Sequence, residues 1–332
     1  MSQPDPDTAA SRLAEMMSRF LGPTIMAAFG DDDITEIYTN PSDYRVRFDT
    51  RSRGRVVAEE RIHPPQITQF LNVVATSVGV ALTPENPSLK AELPNTTFRR
   101  ARLQGFIPPR AEGPTFTLRK PPGQVYSLDQ LVELGTLSPD QRGILRRAVR
   151  DGWNILVVGP MNSGKSTLCN GIIDEIEREC PHERLVILED TRELQCSADD
   201  YLALRAPPGD AFTELAKETL RTSAERIVIG EVRGREALDL IDAWSTGHDG
   251  GCGTLHGSSP EGALERIDRL AMRNGVPSQA WAIAEAVDLI VMIHRQGRVR
   301  RVTTLAHVAG LTNDGRYILH RLGDGANPGG IG

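Results

Sequence analysis

Residues 154–173 constrain the fold more than any other part of this chain. Residues 154–158, Asn-Ile-Leu-Val-Val, form a short apolar run rich in β-branched residues, which reads as a buried strand. Gly159, Pro160, Met161, Asn162, Ser163, Gly164, Lys165 and Ser166 then fit G-x-x-x-x-G-K-[ST], the phosphate-loop pattern. From Thr167 the apolar spacing becomes helical, with Leu168, Ile172 and Ile173 on one face. Gly159 and Gly164 permit turns that a side chain would block. The freed amides face inward as an anion-binding concavity, and the following helix adds the positive end of its dipole. In this pattern Lys165 reaches the β- and γ-phosphates and the Ser166 hydroxyl holds Mg²⁺. Chance would produce such a pattern in about one chain in a hundred of this length, and rarely between a strand and a helix.

The 332 residues suffice for two domains with ample cores. The net charge of −6 supplies no overall cationic field toward nucleic acid, so stable direct nucleic-acid binding is not expected. Cys169, Cys180, Cys196 and Cys252 form no C-x-x-C pair, which argues against a zinc knuckle or a disulfide framework and fits a reducing, cytoplasmic setting. The opening Met-Ser-Gln-Pro-Asp-Pro-Asp is acidic and unlike a signal peptide. The longest apolar runs, such as 73–82, fall short of a membrane span, which leaves peripheral attachment open.

Before the loop, residues 8–20 have helical spacing and Leu21-Gly22-Pro23 is expected to end that helix. Residues 34–38 and 44–48 read as paired strands, 64–78 as a helix, and 98–107 and 114–119 as further strands. The segment 98–120 is basic, with Arg99, Arg100, Arg102, Arg110, Arg119 and Lys120 against Glu112. It is either a solvated strand face or a set of cations that reach phosphates. Lys120-Pro121-Pro122-Gly123 breaks regular structure and opens an expected linker over 121–135. Ser138-Pro139-Asp140-Gln141 is laid out as a capping box, opening a helix to about residue 151. Strands at 185–188 and 226–230 alternate with helices at 211–220 and 235–244. Such alternation implies a mostly parallel sheet covered on both faces, with ligand at the carboxyl ends of its strands.

Three clusters add chemistry. In Leu188-Glu189-Asp190-Thr191-Arg192-Glu193 an apolar strand ends in carboxylates, which can hold a metal-bound water or act as general base. In 226–233, Arg-Ile-Val-Ile-Gly-Glu-Val-Arg, three apolar residues and Gly230 of the expected strand lead to Glu231, a layout that sets a carboxylate beside Mg²⁺. In 246–256, His248 and His256 stand eight apart in a Gly-rich run. Glycine supplies no core volume, so packing is not the expected role of this run. A histidine near a γ-phosphate can sense it by hydrogen bonding, whereas Cys252 and His256 make a thin zinc ligand set.

Together, these four boxes resemble the secretion or traffic ATPase superfamily of type IV secretion, conjugation, type II secretion and type IV pili. The Glu-Asp-Thr acidic box, the Gly-Glu second Walker motif and the Thr-Gly-His…Thr-x-His box match in order, and Asp33-Ile34-Thr35-Glu36-Ile37 and Phe116-Thr117-Leu118-Arg119-Lys120 also fit. The chain length and the missing four-cysteine insertion point to the conjugation branch. Departures are Gly250-Gly251-Cys252-Gly253 and His256-Gly257, where bulkier residues and His-Ala are usual.

The resemblance implies an α/β chain: a smaller α+β N-terminal domain (1–120), the linker (121–135) and a C-terminal RecA-like P-loop ATPase domain with a mostly parallel sheet (136–332). It implies ATP and Mg²⁺ as cofactors, a homo-hexamer, and inner-membrane components of a type IV secretion or conjugation apparatus as partners, with possible peripheral membrane contact. The stretch from Gly159 to Thr167 would bind phosphates, with Ser166 and Glu231 supporting the metal. Glu189 would be the base for the attacking water, and His256 and His248 would read the γ-phosphate. Arg119 would close on the phosphates, with Arg102 a second candidate. Domain rocking about the linker would then follow hydrolysis. Two other readings remain open at this level: a DNA motor, which the acidic balance and 5% aromatic content disfavour, and an assembly scaffold that binds ATP with little turnover.

Overall fold

The computed structural model describes residues 6–121, 123–206, 210–297 and 299–323. The chain divides into two compact units, 1–123 and 124–332. No described helix is long and apolar enough to cross a membrane.

The first unit runs α1 (Pro6–Gly30), β1 (Ile34–Tyr38), β2 (Arg45–Thr50), β3 (Gly54–Arg61), α2 (Pro64–Ser77), β4 (Ser88–Glu92), α3 (Asn95–Phe98), β5 (Arg102–Phe106) and β6 (Thr115–Arg119). Its described strands form an antiparallel sheet in the order β3-β2-β1-β6-β5-β4. Met17, Leu21 and Ile25 of α1 and Phe70 and Leu71 of α2 are buried with Ile37, Phe116 and Leu118 of the sheet. Phe70 meets Phe116 edge-on at 5.5 Å. The expected stop at residues 21–23 is a kink instead: Gly22 leaves the helical region at φ 78° and helix resumes behind Pro23. The resumption follows from packing, because Ile25, Ala28 and Phe29 are all buried.

Lys120 is neither a solvated charge nor a free cation of the basic segment. It is buried, and its Nζ donates to the carbonyls of Ala28 (2.8 Å) and Asp31 (2.5 Å) at the end of α1. Those carbonyls have no helical partner of their own, and the ammonium also meets the negative end of the dipole. Burial lowers the Lys120 pKa.

The second unit opens with α4 (Leu128–Glu133), α5 (Pro139–Arg150), β7 (Ile155–Val158) and α6 (Lys165–Glu179). It continues with β8 (Leu185–Glu189), β9 (Tyr201–Arg205), α7 (Asp210–Thr219), β10 (Arg226–Ile229), α8 (Glu236–Ser245) and β11 (Cys252–Leu255). It closes with α9 (Pro260–Ala271), a 3₁₀ turn (Met272–Asn274), α10 (Ala280–Ala286), β12 (Leu289–Gln296), β13 (Val299–Leu311) and β14 (Tyr317–Leu322). Six of the fifteen residues of the expected linker are therefore helix. Ser127 and Gln130 cap α4 reciprocally, and Leu128 and Leu131 are buried beside Leu168 and Ile172 of α6. The Ser138 capping box of α5 forms as its spacing predicts.

The described strands are ordered β14-β13-β12-β7-β11-β10-β8-β9. All neighbours from β12 to β9 are parallel, while β13 and β14 add antiparallel strands at one edge. Every residue of β7, β8, β10 and β11 is buried, as expected of parallel strands covered on both faces. Helices α4, α5 and α6 contribute to the core on one face, and α7 to α10 to the core on the other.

The Gly-rich run is core, contrary to the expectation drawn from its composition. Residues 250–255 are all buried. A Cβ on Gly251 would lie 2.1 Å from the Ile227 carbonyl and 2.6 Å from the Trp244 indole nitrogen, which itself donates to that carbonyl. The glycines supply room that the fully buried Trp244 fills. Gly257 has the same logic, since a Cβ there would come within 2.7 Å of Val158 Cγ1. Gly251→Ala should therefore destabilise the second unit by about 3 kcal/mol, read as a lower urea midpoint at unchanged m-value.

Candidate functional site

The loop between β7 and α6 is built by backbone conformations that its residues tolerate. Asn162 takes a left-handed φ of 60°, which asparagine accepts better than most side chains, and Gly164 takes φ 102° as the N-cap of α6. A Cβ on Gly159 would lie 2.2 Å from the Ile293 carbonyl of β12. The Ser163 hydroxyl is buried and has no hydrogen-bond partner among the described residues, a donor at the cradle of the kind a phosphate oxygen satisfies. Glycine backbone, orphaned hydroxyl, helix N-terminus and lysine together fit a nucleotide phosphate.

From the loop a string of hydrogen bonds crosses the carboxyl ends of four adjacent strands. Lys165 Nζ donates to the carbonyls of Gly159 and Pro160, both at 3.1 Å, and lies 3.2 Å from His256 Nδ1. His256 Nε2 lies 3.0 Å from Glu231 Oε1. The other oxygen of Glu231 accepts from Arg233 Nη2 at 2.5 Å, and Arg233 Nη1 donates to Asp190 at 2.5 Å. An ammonium only donates, so Nδ1 of His256 is the acceptor and its proton sits on Nε2, facing Glu231. Burial would raise the Glu231 pKa, but the Arg233 hydrogen bond and charge, helped by His256 and Lys165, carry it below the ordinary value. Arg233 is correspondingly raised by its bond to Glu231.

Behind β8 the acidic box divides its work in a way its sequence did not reveal. Glu189 is buried, and its Oε1 accepts from the amides of Glu193 (2.7 Å) and Leu194 (2.9 Å). It is Glu193 that accepts a hydrogen bond from the Ser166 hydroxyl. The buried Asn170 of α6 donates to the Glu193 carbonyl and accepts from the Gln195 amide, and Glu177 caps Ser197. The whole segment is strapped along one helix. The offsets of four and seven residues between Ser166, Asn170 and Glu177 are visible in the sequence, but nothing local pairs them with 193–197.

A family model described as type II/IV secretion system protein matches residues 17–311. The chain belongs to the type II/IV secretion system protein family. It is 36% identical over 303 residues to the conjugal transfer protein TrbB of Rhizobium radiobacter, covering 91% of this chain and 92% of that protein. It is 34% identical over 269 residues to the type IV secretion system protein PtlH of Bordetella pertussis, covering 69% and 77%. The fold is shared with the pilus retraction motor PilT, whose crystal structure with bound ADP superposes with a TM-score of 0.61 at 18% identity, covering 87% of this chain and 79% of that one.

In this secretion-family chain the candidate residues do not all converge. Lys165, Ser166, Glu231 and His256 meet at one place, with Glu189 reaching it through the Glu193 backbone. Thr254 of the Thr-x-His box is structural, its hydroxyl donating to the Gly230 carbonyl at 2.5 Å and so tying β11 to β10. His248 does not join them. It precedes β11 at the amino end of the strand, whereas His256 follows at the carboxyl end, so the length of a four-residue strand, about 13 Å, separates them. His248 Nδ1 lies 2.7 Å from the Ala224 carbonyl, before β10. The expectation that it reads a γ-phosphate is therefore corrected: it staples two chain turns at the far edge. Arg102 and Arg119 are register partners on β5 and β6, and Arg119 is 3.8 Å from Glu36. Residues that the sequence reading left unassigned are Glu193 and Arg233.

His248→Ala should lower unfolding free energy by about 1 kcal/mol and leave nucleotide affinity unchanged, whereas His256→Ala should change nucleotide binding or turnover. Titration with a fluorescent ADP analogue, beside a urea melt, separates the two.

Proposed function

We propose that this chain is an ATP hydrolase, working as a homo-hexameric motor that energises a conjugative type IV secretion channel or its pilus from the cytoplasmic face of the inner membrane. The observation that carries this reading is the unbroken string from Lys165 through His256 and Glu231 to Asp190, laid beside a loop shaped for phosphate. The 36% identity to a conjugal transfer protein over nine-tenths of both chains supports the conjugation setting. The parallel strands with antiparallel β13 and β14 at one edge support a RecA-like nucleotide domain. Inner-membrane components of the secretion apparatus are the proposed partners.

In this reading the amides of 159–167 and Lys165 hold the phosphates, and the residues present suit Mg²⁺ as well: Ser166 supplies a hydroxyl, with Glu193 bonded to it and Glu231 across the site. When bound, the metal neutralises charge on the phosphates and fixes their orientation. Glu189 is the proposed base for the attacking water; two amides hold one of its oxygens, which orients the carboxylate at the end of β8. His256 senses the terminal phosphate through its ring nitrogens, with its tautomer set by Lys165 and Glu231. Arg119 and Arg102 are proposed to supply positive charge to the transferring phosphate, a contribution worth roughly 10³–10⁵ in rate where such an arginine acts.

The test is phosphate release by the purified chain with Mg²⁺ and ATP. Lys165→Ala should abolish turnover. Glu189→Gln keeps an acceptor for the two amides, so it should fold, bind ATP and lose hydrolysis. Glu193→Gln should instead raise the Mg²⁺ concentration needed for half-maximal rate. Wild-type turnover in both Lys165→Ala and Glu189→Gln would refute the assignment. Tight ATP binding by a wild-type ring at background turnover would make the protein a nucleotide-gated scaffold.

A further inference from the structure

We infer that Arg233 is a positioning residue for hydrolysis, holding Glu231 and Asp190 as one unit so that Glu231 stays turned toward His256; this rests on the hydrolytic reading proposed above. Arg233 follows β10 by four residues and makes one guanidinium bond to each acid, both at 2.5 Å. A guanidinium is planar and its donors are fixed relative to one another, so two carboxylates on the same fork cannot turn independently. The two acids lie at the ends of the neighbouring strands β8 and β10. Without the cation between them, like charges would face each other across the strand ends.

The base of the arginine is fixed as well. Its amide and that of Gly234 donate to Glu236 Oε1 at 2.6 and 2.7 Å, so the first turn of α8 holds the backbone from which the side chain leaves. The carbonyl of Arg233 accepts from Arg273 at 3.4 Å. An ordinary exposed ion pair is a poor description of this arrangement. The Arg233 side chain is 49% exposed, but Asp190 and Glu231 are only 18% and 15% exposed. Both oxygens of Glu231 are thereby engaged, one by Arg233 and one by His256, which sets the carboxylate plane. Each oxygen keeps a second lone pair for a water or a cation. The Arg233 guanidinium is bonded to the two acids, so its effect on the reaction passes through Glu231.

The test compares Arg233→Ala, Arg233→Lys and Asp190→Asn in the full chain, measuring kcat and KM for ATP and the Kd of a fluorescent ADP analogue, with thermal melts to confirm folding. Arg233→Ala should lower kcat about 10- to 100-fold while KM and Kd stay within about 2-fold. Lysine, which reaches one acid but not both, should restore part of that loss. Asp190→Asn should lower kcat in the wild type but add nothing in the Arg233→Ala background, because the two residues act as a unit. If the alanine variant does not fold, Arg233→Gln paired with Asp190→Asn carries the same comparison. A wild-type kcat in Arg233→Ala overturns the inference, as do parallel losses of kcat and Kd without rescue by lysine, or additive effects of the two positions. A wild-type chain that binds nucleotide without hydrolysing it overturns the proposed function, and this inference with it.

Discussion

The second unit depends on an alternation of donors and acceptors across four strand ends. In the sheet, β7, β11, β10 and β8 are neighbours in that order, and residues beyond their carboxyl ends follow the same order along the hydrogen-bond string: the loop with Lys165, then His256, then Glu231 and Arg233, then Asp190. Apart from Glu231 and Arg233, which both follow β10, each member has its partner on the next strand, so the string holds only while the strands keep their register. Register in turn depends on the close approach of β11 to β10 that Gly251 and Gly253 allow. Packing of an apolar indole against glycine is in this sense a condition for the polar geometry more than a strand's length away.

The parts of the fold that were legible in the sequence are those whose signals are local. A β-branched run, a glycine turn and a helical stripe in succession specify strand, loop and helix over 154–173 without help from the rest of the chain. The Ser138 capping box is equally local, and its Pro and Gln sit where they were expected. The acids at 189 and 231 were legible because an apolar strand ending in a carboxylate needs only its own residues to be recognised. The missed strand β3 has the opposite character. β3 alternates exposed and half-buried positions, so no apolar run announces it.

Two misreadings share one cause. His248 and His256 are close in sequence and were expected at one phosphate, yet the run between them contains a buried strand that carries its two ends apart. Likewise Glu193 is four residues past Glu189, in a segment without regular structure, and its position is decided by Asn170 and Ser166 on another element. Glycine content argued against a core role; partner shape reversed that reading, because the missing side chain of Gly251 is where Trp244 fits. The deciding groups are Ile227 and Trp244 for Gly251, and Asn170 and Ser166 for Glu193; of these only Trp244 lies nearby along the chain.

The strap along α6 has a consequence for opening motions. Residues 193–197 borrow their order from side chains of one helix, through Asn170, Glu177 and the hydroxyl of Ser166. Their amides lean on side chains, those of Glu193 and Leu194 on Glu189 of β8 and those of Gln195 and Ser197 on α6, so the segment loosens by releasing Glu189 and the helix face together. Hydrogen–deuterium exchange would then register the strap and the first three turns of α6 as a single cooperative patch, although one is irregular backbone and the other a helix.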